Sequence, residues 1–408
     1  MNRWKFYWLR LTRELWVRAS AYALLGVAAA LLASVAARWV PDAMAERLGG
    51  ESVEQILTIL ASSLLAVATF SVGAMVTAYT AVSQGATPRV AALVTSDSQT
   101  QRSLATFVGA FLYAIVAVTA INANYYGAGG RAILFLVSLA VVALVAYRLL
   151  AWINRLSSLA RVGHMIDLVE ARAREALVAR SRRPFLGGRA GVLPTGFLIL
   201  SDKTGYVQNV DPDRLEAAAG EGDCDIQVLA APGAFVRRGE ALARVGRDYA
   251  DERMRSNVHS AFTLGPSRSY DQDPRFGLIV LGEIAAKALS PAVNDPGTAI
   301  QVIGAGVRLL DVWSEAANDQ DDPSPCARVL AAPLAGADLL EDIFGQIARY
   351  GAGDVPATIR LLKALRSLAA TPGPMQGPAR DMARDLTARA RLAMPIPADL
   401  ARVRAVKV

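Results

Sequence analysis

Five oxygen-bearing side chains lie close together in the sequence: Asp271, Asp273, Glu283, Asn294 and Asp295. Carboxylate and amide oxygens are hard donors, so their chemistry, if they converge, is Mg²⁺ or Ca²⁺ binding. Their spacing matches no known cation loop, and helix capping with solvated charge accounts for them without a metal. Tyr270 and Arg275 can pair with the group and fix a contact between domains or subunits. Tyr270, Asp271, Asp273, Ser290, Pro291, Asn294, Asp295 and Pro296 therefore read as a structural or regulatory turn, with no metal and no cofactor expected.

The other residues with reactive side chains are sparse. His164 and His259 are the two histidines, and neither stands in a ligand spacing such as HExxH. No GxSxG, P-loop or kinase signature occurs. Cys224 and Cys326 lack a CxxC partner, which predicts free thiols in a reducing compartment. No catalytic residues are assigned, and the chain is not expected to be an enzyme.

What remains is a chemistry of small hydroxyls in an apolar stretch. Gln55 to Gln84 is 30 residues without a charge. As a helix it is roughly 45 Å long, more than the ~30 Å hydrocarbon core of a bilayer. Ser62, Ala66, Thr69, Gly73, Thr77, Thr80 and Gln84 follow one another at steps of three or four, so they share one helical face. Ile56, Leu60, Leu64, Val67, Phe70 and Met75 occupy the other side. Small and hydroxylic faces let membrane helices pack closely, and they also line water-filled pathways where hydroxyls replace an ion's hydration shell. Both readings stay open in the sequence. After this helix, Thr87-Pro88-Arg89 breaks the chain on the cytoplasmic side, and Asp97 or Ser98 can cap a new helix. Arg89 and Arg102 are either turn and snorkelling residues or a basic ring at a pore mouth that favours anions.

The elements that carry these residues follow from hydropathy. The chain has 408 residues, 53% of them hydrophobic, with mean hydropathy +0.31, high for a soluble protein. The excess lies in four apolar runs, Ala19 to Val40, Val53 to Gln84, Leu104 to Tyr126 and Ala132 to Leu150, each long enough to span a bilayer. The first exceeds a signal-peptide core and is followed by further spans, so it reads as a transmembrane helix. Residues 1–18 alternate aromatics with arginines and read as an interfacial amphipathic segment.

Arg3, Lys5, Arg10, Arg13 and Arg18 precede the first span, and arginines from Arg155 to Arg189 follow the fourth, so the positive-inside rule places both termini in the cytoplasm. The net charge of +7 is concentrated at these borders, where anionic lipid is a sufficient partner. No aromatic-interleaved basic patch points to nucleic acid. A continuous helix is expected from the fourth span into Trp152 to Leu177.

Ser181 to Pro194 is rich in Pro, Gly and Arg and reads as a linker. Beyond it, residues 194–247 contain short alternating runs, as β-strands do. Gly205-Tyr206-Val207 and Pro232 to Leu242 resemble the barrel-sandwich hybrid of biotinyl and lipoyl domains. Gly246-Arg247-Asp248-Tyr249 stands where those carriers place the modified lysine, which argues against covalent cofactor carriage. Residues 248–408 return to helix, with Leu278, Leu281, Ile284, Ala285 and Ala288 forming one stripe. Further stripes at Leu339, Leu340, Ile343 and Ile347 and at Ile359, Leu362, Leu365 and Leu368 call for a partner surface in this domain or in another subunit. Asn318 to Pro325 reads as an acidic mobile loop.

The chain also resembles a family of predicted bacterial membrane proteins classed as domain of unknown function 2254. The resemblance rests on Thr87-Pro88-Arg89, on Phe107-Val108-Gly109-Ala110-Phe111-Leu112-Tyr113, and on Ala288 to Ala299 with its Ser290-Pro291 and Asn294-Asp295-Pro296 turns. It implies an integral membrane protein with a cytoplasmic C-terminal region and no established chemistry. The domains expected are 1–18 interfacial, 19–155 transmembrane, 156–193 juxtamembrane helix and linker, 194–247 small β module and 248–408 helical. The fold expected is an α-helical integral membrane protein of four transmembrane helices, with a cytoplasmic α+β domain holding that module. A homo-oligomeric channel or pore-forming transport protein in the bacterial inner membrane, with a small ion as its candidate cargo and the cytoplasmic domain for assembly or gating, is the leading expectation, and a non-conducting scaffold or stress sensor that recruits a cytoplasmic partner is the alternative.

Overall fold

A computed structural model describes residues 15–37, 41, 45, 52–95, 98–159, 161–318 and 325–406. Residues 1–14 of the expected interfacial segment and 319–324 of the acidic loop lie outside the described residues. The chain divides into two compact units, the first ending at Arg161 and the second beginning at Val162.

The first unit consists of α1 (Leu15–Ala36), α2 (Ser52–Gly85), α3 (Pro88–Thr95), α4 (Ser98–Asn122) and α5 (Ala128–Leu159). Four of these, α1, α2, α4 and α5, are long and apolar enough to cross a membrane. α4 packs against α1, α2 and α5 and is the most enclosed span. Its Ala110, Tyr113, Ala114 and Ala117 meet Ala30 and Ala33 of α1, Leu57 and Leu64 of α2, and Leu134 of α5 in one buried cluster.

Apolar side chains gain little by leaving lipid for one another, so close backbone approach and interhelical hydrogen bonds hold such a bundle. Both are present. A Cβ on Gly109 would lie 2.7 Å from the carbonyl oxygen of Tyr22, and one on Gly26 would run into the carbonyl of Gly109. The buried Tyr113 hydroxyl donates to Leu134 O at 3.2 Å and lies 3.0 Å from Ser138 Oγ. Tyr126 donates to Ala30 O at 2.6 Å, tying the α4–α5 connection to α1.

Two connections differ from expectation. Thr87-Pro88 ends α2, yet Pro88 also opens the eight-residue α3, because the first helical position needs no N–H. Val90, Ala91, Leu93 and Val94 of α3 are buried. The continuous helix expected beyond the fourth span is divided: α5 ends at Leu159, Arg161 is non-helical, and α6 (Val162–Arg182) is a separate element. Ser157, Ser158 and Gly163, weak helix formers, flank the break.

In the second unit α6 is followed by β1 (Phe197–Leu200), β2 (Gly205–Val210), α7 (Pro212–Glu221), β3 (Ile226–Val228), β4 (Phe235–Val236), β5 (Ala241–Val245), α8 (Glu252–Ser260) and β6 (Phe262–Gly265). Then come α9 (Phe276–Ala288), α10 (Pro296–Asn318), β7 (Val329–Leu330), α11 (Gly336–Leu340), a π-helical turn (Glu341–Gly345) and α12 (Gln346–Tyr350). The chain closes with α13 (Val355–Ala370), α14 (Gln376–Ala393) and α15 (Pro397–Arg404).

The strands form a four-stranded sheet in the order β1-β5-β3-β7 and a three-stranded sheet in the order β4-β2-β6. β7 joins β3 in parallel with Ile226 opposite Val329, whereas the other pairings are antiparallel. β6 and β7 come from sequence that reads as helix or loop, so strands extend beyond residue 247. The core of this region includes Val207, Leu215, Ile226, Leu242, Val245, Val258 and Val329. In the helical part, α10 packs against α6, α9 and α13. Leu339, Leu340, Ile343, Ile347, Leu362, Leu365 and Leu368 are buried inside the unit, with Ile359 half-buried, so these stripes find most of their partner surface within this domain.

Candidate functional site

In the first unit the small face of α2 is the feature to place. Ser62, Ala66, Thr69, Gly73, Thr77, Thr80 and Gln84 are all exposed. The buried residues of the same helix are Val53, Leu57, Leu60, Leu64, Ser71, Ala78 and Val82. At about 100° per residue the two sets are centred roughly 160° apart, on opposite sides of the helix. The small stripe therefore does not pack α2 onto its own bundle. Of the apolar set expected on the other side, Leu60 and Leu64 are buried, but Phe70 is 68% exposed and borders the stripe. Ile59 stands with Phe70 on one flank, and Leu65, Val72 and Val76 on the other, so the stripe is a shallow furrow between large side chains.

Its hydroxyls are oriented by their own helix. Thr69 donates to Leu65 O at 2.9 Å, Thr77 to Gly73 O at 3.1 Å and Thr80 to Val76 O at 3.0 Å. Ser62 reaches Thr58 O and Ile59 O, each at 3.1 Å. With the protons turned back to the helix, the oxygen lone pairs face outward. Gly73 has nothing within 4 Å of where a Cβ would stand, which makes the middle of the furrow its most open point.

At the end of α2 the expected mouth residues are also exposed: Arg89 is the second residue of α3 and Arg102 lies in the second turn of α4. Beside them the sequence reading missed a buried polar group. Thr87, Thr100, Gln101, Ser103 and Thr106 are each 7% exposed or less. Thr106 donates to Arg102 O at 2.8 Å, while Thr87 Oγ1 finds no hydrogen-bond acceptor or donor among the described residues. Within α2, Ser71 Oγ is likewise buried without a partner among the described residues. The polar run Gln99-Thr100-Gln101-Arg102-Ser103 was the available signal.

In the second unit the acidic residues do not converge. Asp271 and Asp273 precede α9, and Asn294 and Asp295 follow it, so a helix of about 20 Å separates the two pairs. Among the described residues no group of three His, Cys, Asp or Glu side chains is placed to hold a metal. Asp273 is 2% exposed and accepts from Arg268 Nε at 2.7 Å and Nη2 at 3.0 Å. It also accepts the N–H groups of Arg275 and Phe276 at the start of α9. Tyr270 packs against Phe276 with ring centroids 4.5 Å apart and the planes tilted by 47°. Gly233, at φ +92°, lies against the Asp273 carboxylate, so the Pro232-Gly233 turn closes over the Arg268–Asp273 pair.

Arg275 does not join that carboxylate through its side chain. Its guanidinium forks onto Asp342 at 2.6 and 3.0 Å and reaches Asp338 at 2.9 Å, clamping α9 to the π turn. Hydrogen bonding to Asp342 raises the Arg275 pKa, while burial pushes Asp342 up against the partial relief from Arg275. After α9, Ser290 Oγ donates to Lys287 O, Pro291 is exposed, and Asn294 adopts φ +50°. Asp295 accepts from the Thr298 hydroxyl at 2.6 Å and from its N–H at 3.1 Å, which caps α10 just before Pro296.

Neither cysteine is set up as a nucleophile: both are buried, and burial pushes Cys326 up to about 11. His259 Nε2 lies 3.2 Å from Asp202 at the surface of the β region. These arrangements are capping, clamping and packing.

A helical membrane protein with four candidate spans and a second, mixed α/β unit is the class that these observations define. The chain belongs to the DUF2254 family of predicted membrane proteins, whose match runs over residues 12–367. It is similar to an uncharacterized protein of Mycobacterium bovis and to one of Mycobacterium tuberculosis, each 36% identical over 115 residues, 26% of this chain and 21% of the relative. The matched part of the chain thus spans about a fifth of the length of the curated relatives. No solved structure matches it.

Proposed function

We propose that the protein is a homo-oligomeric channel, or pore-forming transport protein, for a small ion in the bacterial cytoplasmic membrane. Both termini lie in the cytoplasm, and the second unit serves as assembly or gating domain. The observation that carries this reading is the outward stripe of α2, the side that its own bundle leaves open. Copies that bring these stripes together would line a pathway with hydroxyl oxygens, with Arg89 and Arg102 at its cytoplasmic end. The β module, with its hybrid-like strand at Gly205 and turn at Gly233, is then a structural or partner-binding part of the domain.

The test is electrical recording from purified protein in planar bilayers across voltage, tension and osmotic conditions. Ion flux that Thr69→Leu or Thr77→Leu removes supports the channel, and silence under all conditions overturns it. A second reading, a non-conducting scaffold or stress sensor, draws support from the hydroxyls being satisfied within their own helix. A scaffold tolerates both leucine substitutions and co-purifies with a specific cytoplasmic protein.

A further inference from the structure

We propose that the exposed side of α14, with the turn that follows it, is a docking surface for anionic phospholipid headgroups. A groove of ≈ 790 Å³ runs along this helix, lined by Arg380, Asp381, Arg384, Thr387 and Arg391 and closed at one side by Val406. Arg380, Arg384, Thr387 and Arg391 stand at i, i+4, i+7 and i+11, which puts them on one stripe about 16 Å long. The neighbouring face, Ala379, Ala383, Leu386 and Ala390, about 100° round the helix, is buried, so the helix that carries the stripe is held in place by the unit's core.

The charge in the groove is unbalanced. Arg384 is paired with Asp381, whereas Arg380 and Arg391 make no ion pair among the described residues. Arg389, outside the groove, is spent on Asp385 at 2.6 Å. Guanidinium forks match phosphate oxygens, while the Thr387 hydroxyl between them is turned back to Ala383 O at 2.8 Å.

Two exposed apolar side chains near the end of α14, outside the groove lining, decide between a free phosphate compound and a lipid. Leu392, next to Arg391, is 93% exposed, and Ile396 in the following turn is 56% exposed. A soluble anion gives these side chains nothing, while a bilayer surface accepts the arginines at the headgroups and Leu392 and Ile396 just below them. The inference rests on membership of a membrane-protein family and not on conduction.

The experiment places a spin label at Leu392→Cys, Cys224 and Cys326 being buried, and measures its oxygen accessibility in full-length protein in nanodiscs. In phosphatidylglycerol discs the label should report membrane depth, and in phosphatidylcholine discs it should report water. Combining Arg380→Ala with Arg391→Ala should weaken insertion about 30-fold, from roughly 1 kcal/mol per arginine near an anionic surface. Equal depth in both lipids, or depth unaffected by the arginine changes, overturns the proposal. Pyrophosphate serves as the probe for a soluble ligand: tight binding in detergent that the double change abolishes, with the label still in water in phosphatidylglycerol, also overturns it.

Discussion

Gly26 of α1 and Gly109 of α4 meet backbone to backbone, so that a Cβ on either would collide with the other helix. This crossing is available to glycine and closed to any larger residue without moving a span. Gly109→Leu should destabilise the first unit by about 1–3 kcal/mol, the usual cost of overpacking. Gly73→Leu should leave stability unchanged, because Gly73 faces open space. Thermal unfolding of the two variants in detergent separates them, and under the channel proposal Gly73→Leu blocks conduction without unfolding anything.

Asp273 accepts two bonds from Arg268 and two backbone N–H bonds from α9 while 2% exposed. Asp273→Ala would leave Arg268 facing a site without its counter-charge and remove the start of α9, at a cost of about 3–5 kcal/mol. Gly233→Ala should act on the same pair from the other side, since its φ of +92° and the adjacent carboxylate both oppose a side chain. Melting temperatures of the single and combined variants should show that the two losses do not add.

The Thr298 hydroxyl, followed by the Thr298 N–H, holds the Asp295 carboxyl below the usual carboxylate range. A depressed carboxylate pKa favours folding while the group is ionised, so this contribution is complete above about pH 4 and fades as the pH falls further. Asp295→Ala should cost about 1 kcal/mol at neutral pH, the ordinary worth of an N-cap. The gap between variant and parent should close on acidification, which urea unfolding at a series of pH values will read out.

Arg180 is buried in α6 with Nη2 on Ala332 O at 3.1 Å and Nε without a partner among the described residues. Burial lowers its pKa to about 10, so folding bears a desolvation cost that eases only as the pH rises through that value. Arg180→Met keeps the volume and removes the charge, and it should raise the melting temperature or leave it unchanged. Arg180→Ala, which opens a cavity, should lower it.

The sequence carried the parts of the fold that depend on runs and periods. Apolar stretches of about twenty residues or more located the four candidate spans, and the stripe of Leu278, Leu281, Ile284, Ala285 and Ala288 located α9. Elements defined by a distant partner were not legible: β7 is two residues long and exists because Val329 and Leu330 lie beside Ile226 and Gln227. The π turn at Glu341–Gly345 has no period of its own, and it lies where Gly282 of α9 lets the carbonyls of Asp342 and Ile343 come close. The acidic residues looked like a group because nearness in sequence ignores the length of the helix between them. For α2 the composition of each face was legible, but which face the bundle would use was not, since small residues serve packing and water equally.

The outward turn of the α2 stripe also bears on inheritance. If copies meet through it, one altered stripe spoils a ring that contains otherwise intact subunits. A Thr77→Leu allele would then be dominant over wild type when both are expressed. An allele that damages the inward side, such as Leu57→Asp, yields chains that fail to fold and never enter an assembly, and it should be recessive. Co-expression in one cell would thus distinguish the two sides of a single helix by genetics alone.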